Sequence, residues 1–273
     1  MRVTGVIFRG SFTQRTLGVL PIITLEVFPT IALMKKQKFA GLVFGLCIGA
    51  APLIGQAQVN HVNIMPFGDS VTAFGSNPES SYRYWLWQKL QDAGFNNIDF
   101  IGHSSGVADG APAQTDFDQN YEGGGNDWTS LTALNDADNA GSLNPDIVLL
   151  DFGSNDFGEG WETEHANATR ENIDQIIETL RAHNPNVIIL LAKPTGWATT
   201  DKTQKKFQSA LSGAIAKAAQ DEKRAGANVV LVGLHGGFNP RKDTKDGTHP
   251  NVRGEQKIAT KYFNALKKIL KKM

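Results

Sequence analysis

The chain has 273 residues, 41% of them apolar and 20% charged. That composition suits a globular fold with a full hydrophobic core and excludes a disordered or fibrous protein. Its 27 basic residues balance its 27 acidic ones, which leaves no electrostatic footprint for nucleic acid.

The first patterned stretch starts at Met34. Lys35-Lys36-Gln37-Lys38, an apolar run over residues 39–54, and Gly55-Gln56-Ala57 follow the charged, apolar and small-residue order of a secretory signal peptide. The reading predicts cleavage after Ala57 and export to the periplasm or the medium. Residues 1–33 are then an upstream extension or a mis-chosen start, 34–57 the signal peptide, and 58–273 a single domain. The run is short for a membrane span and is interrupted by Pro52 and several glycines, so no stable membrane association is expected after cleavage. Cys47, the only cysteine, lies within this run and follows Leu46 rather than a small residue, which disfavours a lipoprotein anchor. A mature chain without cysteine has no disulfide framework, no thiol nucleophile and no Cys-ligated zinc.

From residue 58 onward, strand and helix patterns alternate. Apolar runs predict strands at 62–67, 98–102, 147–152, 187–192 and 229–232. Helical spacing predicts helices at 82–93, 166–183, 203–225 and 252–270. Short continuous apolar strands separated by helices indicate a five-stranded parallel sheet buried on both faces, a three-layer α/β/α sandwich. Glycine-rich loops at 102–125 and 153–160 follow strands. In open parallel sheets the site lies at the carboxyl ends of the strands, where such loops meet.

Pro66-Phe67-Gly68-Asp69-Ser70-Val71 puts a serine where the first apolar strand gives way to a polar turn. Helix capping by Asp69 or Ser70 would also account for these letters; a nucleophilic Ser70 requires a base. Of the six histidines, His249 alone has an acid in a short turn, in Asp246-Gly247-Thr248-His249-Pro250. A polar turn capping the last helix is the plain alternative, and Asp243 is a more distant rival acid. The turn of Gly153-Ser154-Asn155-Asp156 and the run Gly123-Gly124-Gly125 offer donors for a developing oxyanion, each worth roughly 3–4 kcal/mol.

Gly102-His103-Ser104-Ser105-Gly106 also fits a Gly-x-Ser-x-Gly elbow. However, Gly110 and Pro112 oppose the helix such an elbow needs. Asp116-Phe117-Asp118-Gln119-Asn120 alternates oxygens like a calcium loop, but Tyr121 and Asp127 replace the required glycine and glutamate; a solvated loop without metal is expected. Trp85 and Trp87 cannot share one helical face, so at least one of them packs inward. Trp128, Trp161 and Trp197 fall in loops near the expected rim, suited either to stacking on sugars or to packing.

Together, Gly68-Asp69-Ser70, the glycine loop, Gly153-Ser154-Asn155-Asp156 and Asp246-Gly247-Thr248-His249-Pro250 resemble, in order and spacing, the SGNH hydrolase superfamily of GDSL esterases and lipases. The pattern is similar to that of secreted carbohydrate esterases of the acetylxylan type. The resemblance implies a flavodoxin-like fold and a serine esterase needing no cofactor. It makes Ser70 the nucleophile, His249 the base and Asp246 the orienting acid. The oxyanion hole would be formed by Ser70, Asn155 and Gly125, with Gly124 as the alternative glycine. Related carbohydrate esterases read Glu-Gly-x-x-Gly-Trp where this chain has Glu122-Gly123-Gly124-Gly125-Asn126-Asp127-Trp128, so the register of the glycine stays open. The implied substrate is an ester, O-acetyl groups on a polysaccharide such as xylan being favoured by export. Lipase, arylesterase or thioesterase activity on the same fold, or a non-catalytic carbohydrate-binding module, are the alternatives.

Overall fold

The computed structural model describes residues 61–75, 81–110 and 114–273. The expectations for 1–33, the signal peptide 34–57, Cys47 and the Gln58 start lie outside the described residues. Six strands form one parallel sheet: β1 (Val62–Gly68), β2 (Ile98–Phe100), β3 (Glu122–Gly123), β4 (Ile147–Asp151), β5 (Ile188–Lys193) and β6 (Asn228–Gly233). The order is β2-β1-β4-β5-β6, with β3 paired to β1 beyond the end of β2. The helices are α1 (Ser70–Ala73), α2 (Ser81–Asp92), α3 (Ser130–Ser142), α4 (Glu162–His183), α5 (Lys202–Arg224), α6 (Pro240–Asp243) and α7 (Val252–Leu270).

Strand alternation builds the three layers. Met65, Phe67, Val148, Leu150, Ile189 and Leu191 point to the face covered by α3, α4 and α5. Ile64, Ile147, Leu149, Leu190 and Ala192 point to the opposite face, packed against α2 and α7. Successive residues thus serve opposite layers, as the period of two requires, and nearly every residue of β1 and β4 is buried. That double burial is why these strands read as continuous apolar runs.

The α/β class and layering agree with the sequence expectation; the sheet has six strands among the described residues instead of five. The sixth, β3, has only two residues inside a glycine run, too short to carry an alternating pattern. α3 is also absent from the sequence expectation. Its core face is made of Ala133, Ala137 and Ala140, and Asn, Asp and Ser fill most of the rest, so it shows little helical contrast in hydrophobicity. The small face matters for packing: a side chain at Gly141 would meet the His183 ring of α4.

Candidate active site

The direction of strand order reverses between β1 and β4, and the carboxyl ends of these strands form the crevice expected at such a switch point. Gly68, the last residue of β1, pairs with Gly123 on one side and Asp151 on the other. This one register brings three chain segments together. Ser70 lies two residues beyond Gly68, Gly124 and Gly125 follow Gly123, and Asn155 lies four residues beyond Asp151. Glycine is required at the centre of the arrangement, because a side chain at Gly68 would collide with Thr72 and one at Gly123 with the Gly68 carbonyl.

Ser70 is the first residue of α1 and is buried. Asp69 is the N-cap, its carboxylate accepting from the Val71 amide at 2.9 Å. The capping role and a reactive role for Ser70 are therefore compatible, since Asp69 performs the first. Burial pushes the Asp69 carboxyl up to about 7, against the Val71 hydrogen bond and the nearby His249 ring.

The 246–249 turn sits across the crevice. His249 Nε2 is 3.1 Å from Ser70 Oγ, and His249 Nδ1 is 2.7 Å from Asp246 Oδ2. The other Asp246 oxygen accepts from the amides of Thr248 (2.9 Å) and His249 (2.7 Å), so the carboxylate is fixed by its own turn. Partial burial opposes ionisation of Asp246, but the His249 ring and these amides outweigh it and hold the carboxyl down at about 2. Gly247 adopts φ +94 to close the turn. Its carbonyl accepts from the Ala198 amide at 2.7 Å, docking the loop after β5 against the turn. The Phe74 ring lies 5.3 Å from the imidazole. A hydroxyl, an imidazole and a carboxylate in this line can pass the hydroxyl proton to the ring while the carboxylate fixes the tautomer.

Asn155 donates from Nδ2 to the Trp128 carbonyl at 3.0 Å. The amide has two hydrogens, so one remains for another acceptor. Asp156 anchors the same turn, accepting from the Ser130 amide at 2.9 Å and the Thr169 hydroxyl at 2.6 Å. A side chain at Gly124 would run into the Trp128 indole, whereas one at Gly125 would press on Phe74 at 3.0 Å. Asp127, just before Trp128, has φ +66, the backbone region that glycine favours.

The other residues singled out in the sequence differ from these in place or in role. Asp243 is buried away from the imidazole, with Lys257 at 2.7 Å, Arg253 at 2.9 Å and the Asn239 amide at 2.6 Å. Ser104 is held in an antiparallel bridge to Tyr121, and α3 is the next helix after it among the described residues. Asp118 accepts from the Phe100 amide, and Asn120 donates to the Gly102 carbonyl; these oxygens and nitrogens tie down the loop. Trp128 packs against Phe152, and Trp197 bonds Gln204 and lies near Phe207, so both act as packing anchors. Trp161 is 63% exposed. Trp85 and Trp87 are both partly buried against the α2/α7 core.

Two features escaped sequence reasoning. His103, in a loop where no acid shares a short turn with it, bonds Glu122 at 2.7 Å across a fold-made contact. Arg83 is fully buried and donates to the carbonyls of Thr72, Gln119 and Gly106 while its guanidinium lies 4.2 Å from the Tyr121 ring centre. No periodicity marks an arginine as interior; its helix partners Tyr82 and Leu86 carry the only signal.

Residues 67–257 match the profile of the GDSL-like lipase/acylhydrolase family. The chain is similar to a multidomain esterase of Ruminococcus flavefaciens, with 27% identity over 246 residues, covering 81% of this chain and 30% of that protein. It thus spans under a third of the length of that curated relative. Among solved structures it is similar to a carbohydrate esterase family 3 protein from Talaromyces cellulolyticus (25% identity, TM-score 0.64, 78% of this chain and 99% of that one). It is also similar to a family 3 carbohydrate esterase of Clostridium thermocellum (25% identity, TM-score 0.58, 77% and 98%).

Proposed function

This chain belongs to the GDSL-like lipase/acylhydrolase family, and we propose that it is a carboxylic ester hydrolase with Ser70 as its nucleophile, His249 as the general base and Asp246 as the orienting acid. The observation that carries this reading is the unbroken line of hydrogen bonds from Ser70 Oγ through His249 to Asp246. Ser70 attacks the ester carbonyl as His249 Nε2 takes its proton. The developing oxyanion is taken by the amides of Ser70 and Gly125, with Gly124 as the alternative glycine, and by the free Nδ2 hydrogen of Asn155. Collapse releases the alcohol with the proton returned from His249, leaving an acyl-Ser70 ester. Water deprotonated by His249 then attacks that ester and frees the carboxylic acid. No cofactor enters the scheme.

The substrate we propose is an O-acetylated polysaccharide such as xylan, met outside the cell after removal of residues 34–57. Support comes from the signal-like N-terminal pattern and from the likeness to carbohydrate esterases. Release of acetate from acetylated xylan, set against hydrolysis of short- and long-chain chromogenic esters, is the test. Acetate release with a preference for short acyl groups is expected; turnover of long acyl esters alone would assign a lipase, and none of any ester would leave a binding module. Ser70→Ala should abolish activity by a factor of about 10³ or more and Ser104→Ala should not. The reverse result would overturn the assignment. The N-terminus of secreted protein should read Gln58.

A further inference from the structure

A groove of about 290 Å³ runs from Asn155 between the start of α3 and the first turns of α4. Asn155 is the candidate site residue among those that line it. Leu131, 55% exposed, and Phe157 supply apolar surface, while Thr129, His165 and Asn172 interleave polar groups. Trp161, 63% exposed, does not itself line the groove but precedes α4 one helical turn before His165, which does, and its carbonyl accepts from the His165 amide at 2.8 Å. The remaining exposed large apolar side chains among the described residues are Val230, Leu231 and Met273, at the β6 edge and the C-terminus. Of the exposed large apolar side chains among the described residues, Leu131 is the one that lines this groove, and Trp161 lies just ahead of the helix that forms its other wall.

We propose that this groove is the subsite for the sugar chain that carries the ester, with Trp161 and Leu131 as apolar platforms and Asn172 and His165 as hydroxyl partners. The inference rests on the reading of the protein as a polysaccharide esterase. Groove chemistry selects the occupant. The Asp156 carboxylate on its wall is engaged by Ser130 and Thr169, so no free anion is offered to a cationic ligand. Among the described residues, no lysine or arginine lines it to hold an anionic one. An acyl chain calls for continuous apolar lining, whereas here polar and apolar side chains alternate. A pyranose ring, with apolar faces and a hydroxylated edge, matches that alternation. The Asn172 side chain donates to Ser130 Oγ at 2.9 Å, which leaves its carbonyl oxygen to accept from a sugar hydroxyl.

The experiment titrates Ser70→Ala protein with an acetylated xylo-oligosaccharide and follows the tryptophan indole N–H resonances, that of Trp161 being assigned through Trp161→Phe. The Trp161 signal should move, and Kd should weaken about tenfold when Trp161→Ala or Leu131→Ser is added, a loss of about 1.4 kcal/mol. Binding that leaves the Trp161 signal in place and Kd unchanged in both variants would overturn the proposal. So would displacement of that signal by octanoate but not by the saccharide, which assigns the groove to an acyl chain. Because binding is read in a protein lacking the Ser70 hydroxyl, the outcome is independent of the nucleophile. If Ser70→Ala fails to bind the saccharide while wild type releases acetate from xylan, the groove is refuted and the substrate reading stands. If wild type releases none either, the substrate reading itself fails.

Discussion

In the mechanism proposed above, Asn155 has two duties in one amide: one Nδ2 hydrogen bonds the Trp128 carbonyl, and the other would meet the oxyanion. Asn155→Ala should lower kcat by about 10²–10³ with little change in KM, since the second bond forms only in the transition state. A pure KM effect in steady-state kinetics would contradict that role. The two acids near the 246–249 turn differ sharply at this scale. Asp246 faces the imidazole, whereas Asp243 is locked to Lys257 and Arg253. Proximity to His249 along the chain already ranks them, because a three-residue turn lets a carboxylate reach a ring it nearly adjoins. The same criterion misses the His103–Glu122 bond, whose partners are 19 positions apart.

At the level of elements, what aims Ser70 is the clamp on α1. Arg83, from α2, holds the Thr72 carbonyl within α1 and also the carbonyls of Gln119 and Gly106, so one buried cation fastens three segments beside the crevice. Burial lowers its affinity for the proton to about 10, still leaving it charged at neutral pH. Arg83→Met keeps much of the volume but strands buried carbonyls, each costing about 1–3 kcal/mol. Thermal unfolding should show a loss of about 3 kcal/mol or more, with kcat falling as α1 loosens; an unaltered Tm would refute the clamp. The long helices and β1, β4 and β5 are legible in the sequence because each buries enough side chains to impose a period. β3 and α3 are not, since one is two residues long and the other buries alanines.

For the whole molecule, the same sheet that assembles the site encloses an acidic pair. Asp151 ends β4 and is 3% exposed, with Asp69 nearby. Burial, and then the Asp69 charge, push its carboxyl well above the usual 3.8. The folded state therefore keeps a proton that the unfolded chain releases, so this group favours folding most below about pH 4 and its contribution is lost as the pH rises through the folded value. Melting curves of Asp151→Asn should lie above wild type at about pH 8, with the margin narrowing toward about pH 4. A margin that does not change with pH would dismiss Asp151 as the source. Periodic burial and short turns are local properties: the first suffices to read the α/β class from the chain alone and the second sets Asp246 beside His249, while the order and spacing of the motif blocks carry the family resemblance and make Ser70 and Asn155 candidates. The folded molecule was needed to put Gly68 between Gly123 and Asp151, to occupy Asp243 elsewhere, and to leave Trp161 exposed while Trp128 and Trp197 pack inward. Those facts depend on strand register and on which faces meet, and contacts between residues distant in sequence leave no periodic mark along the chain.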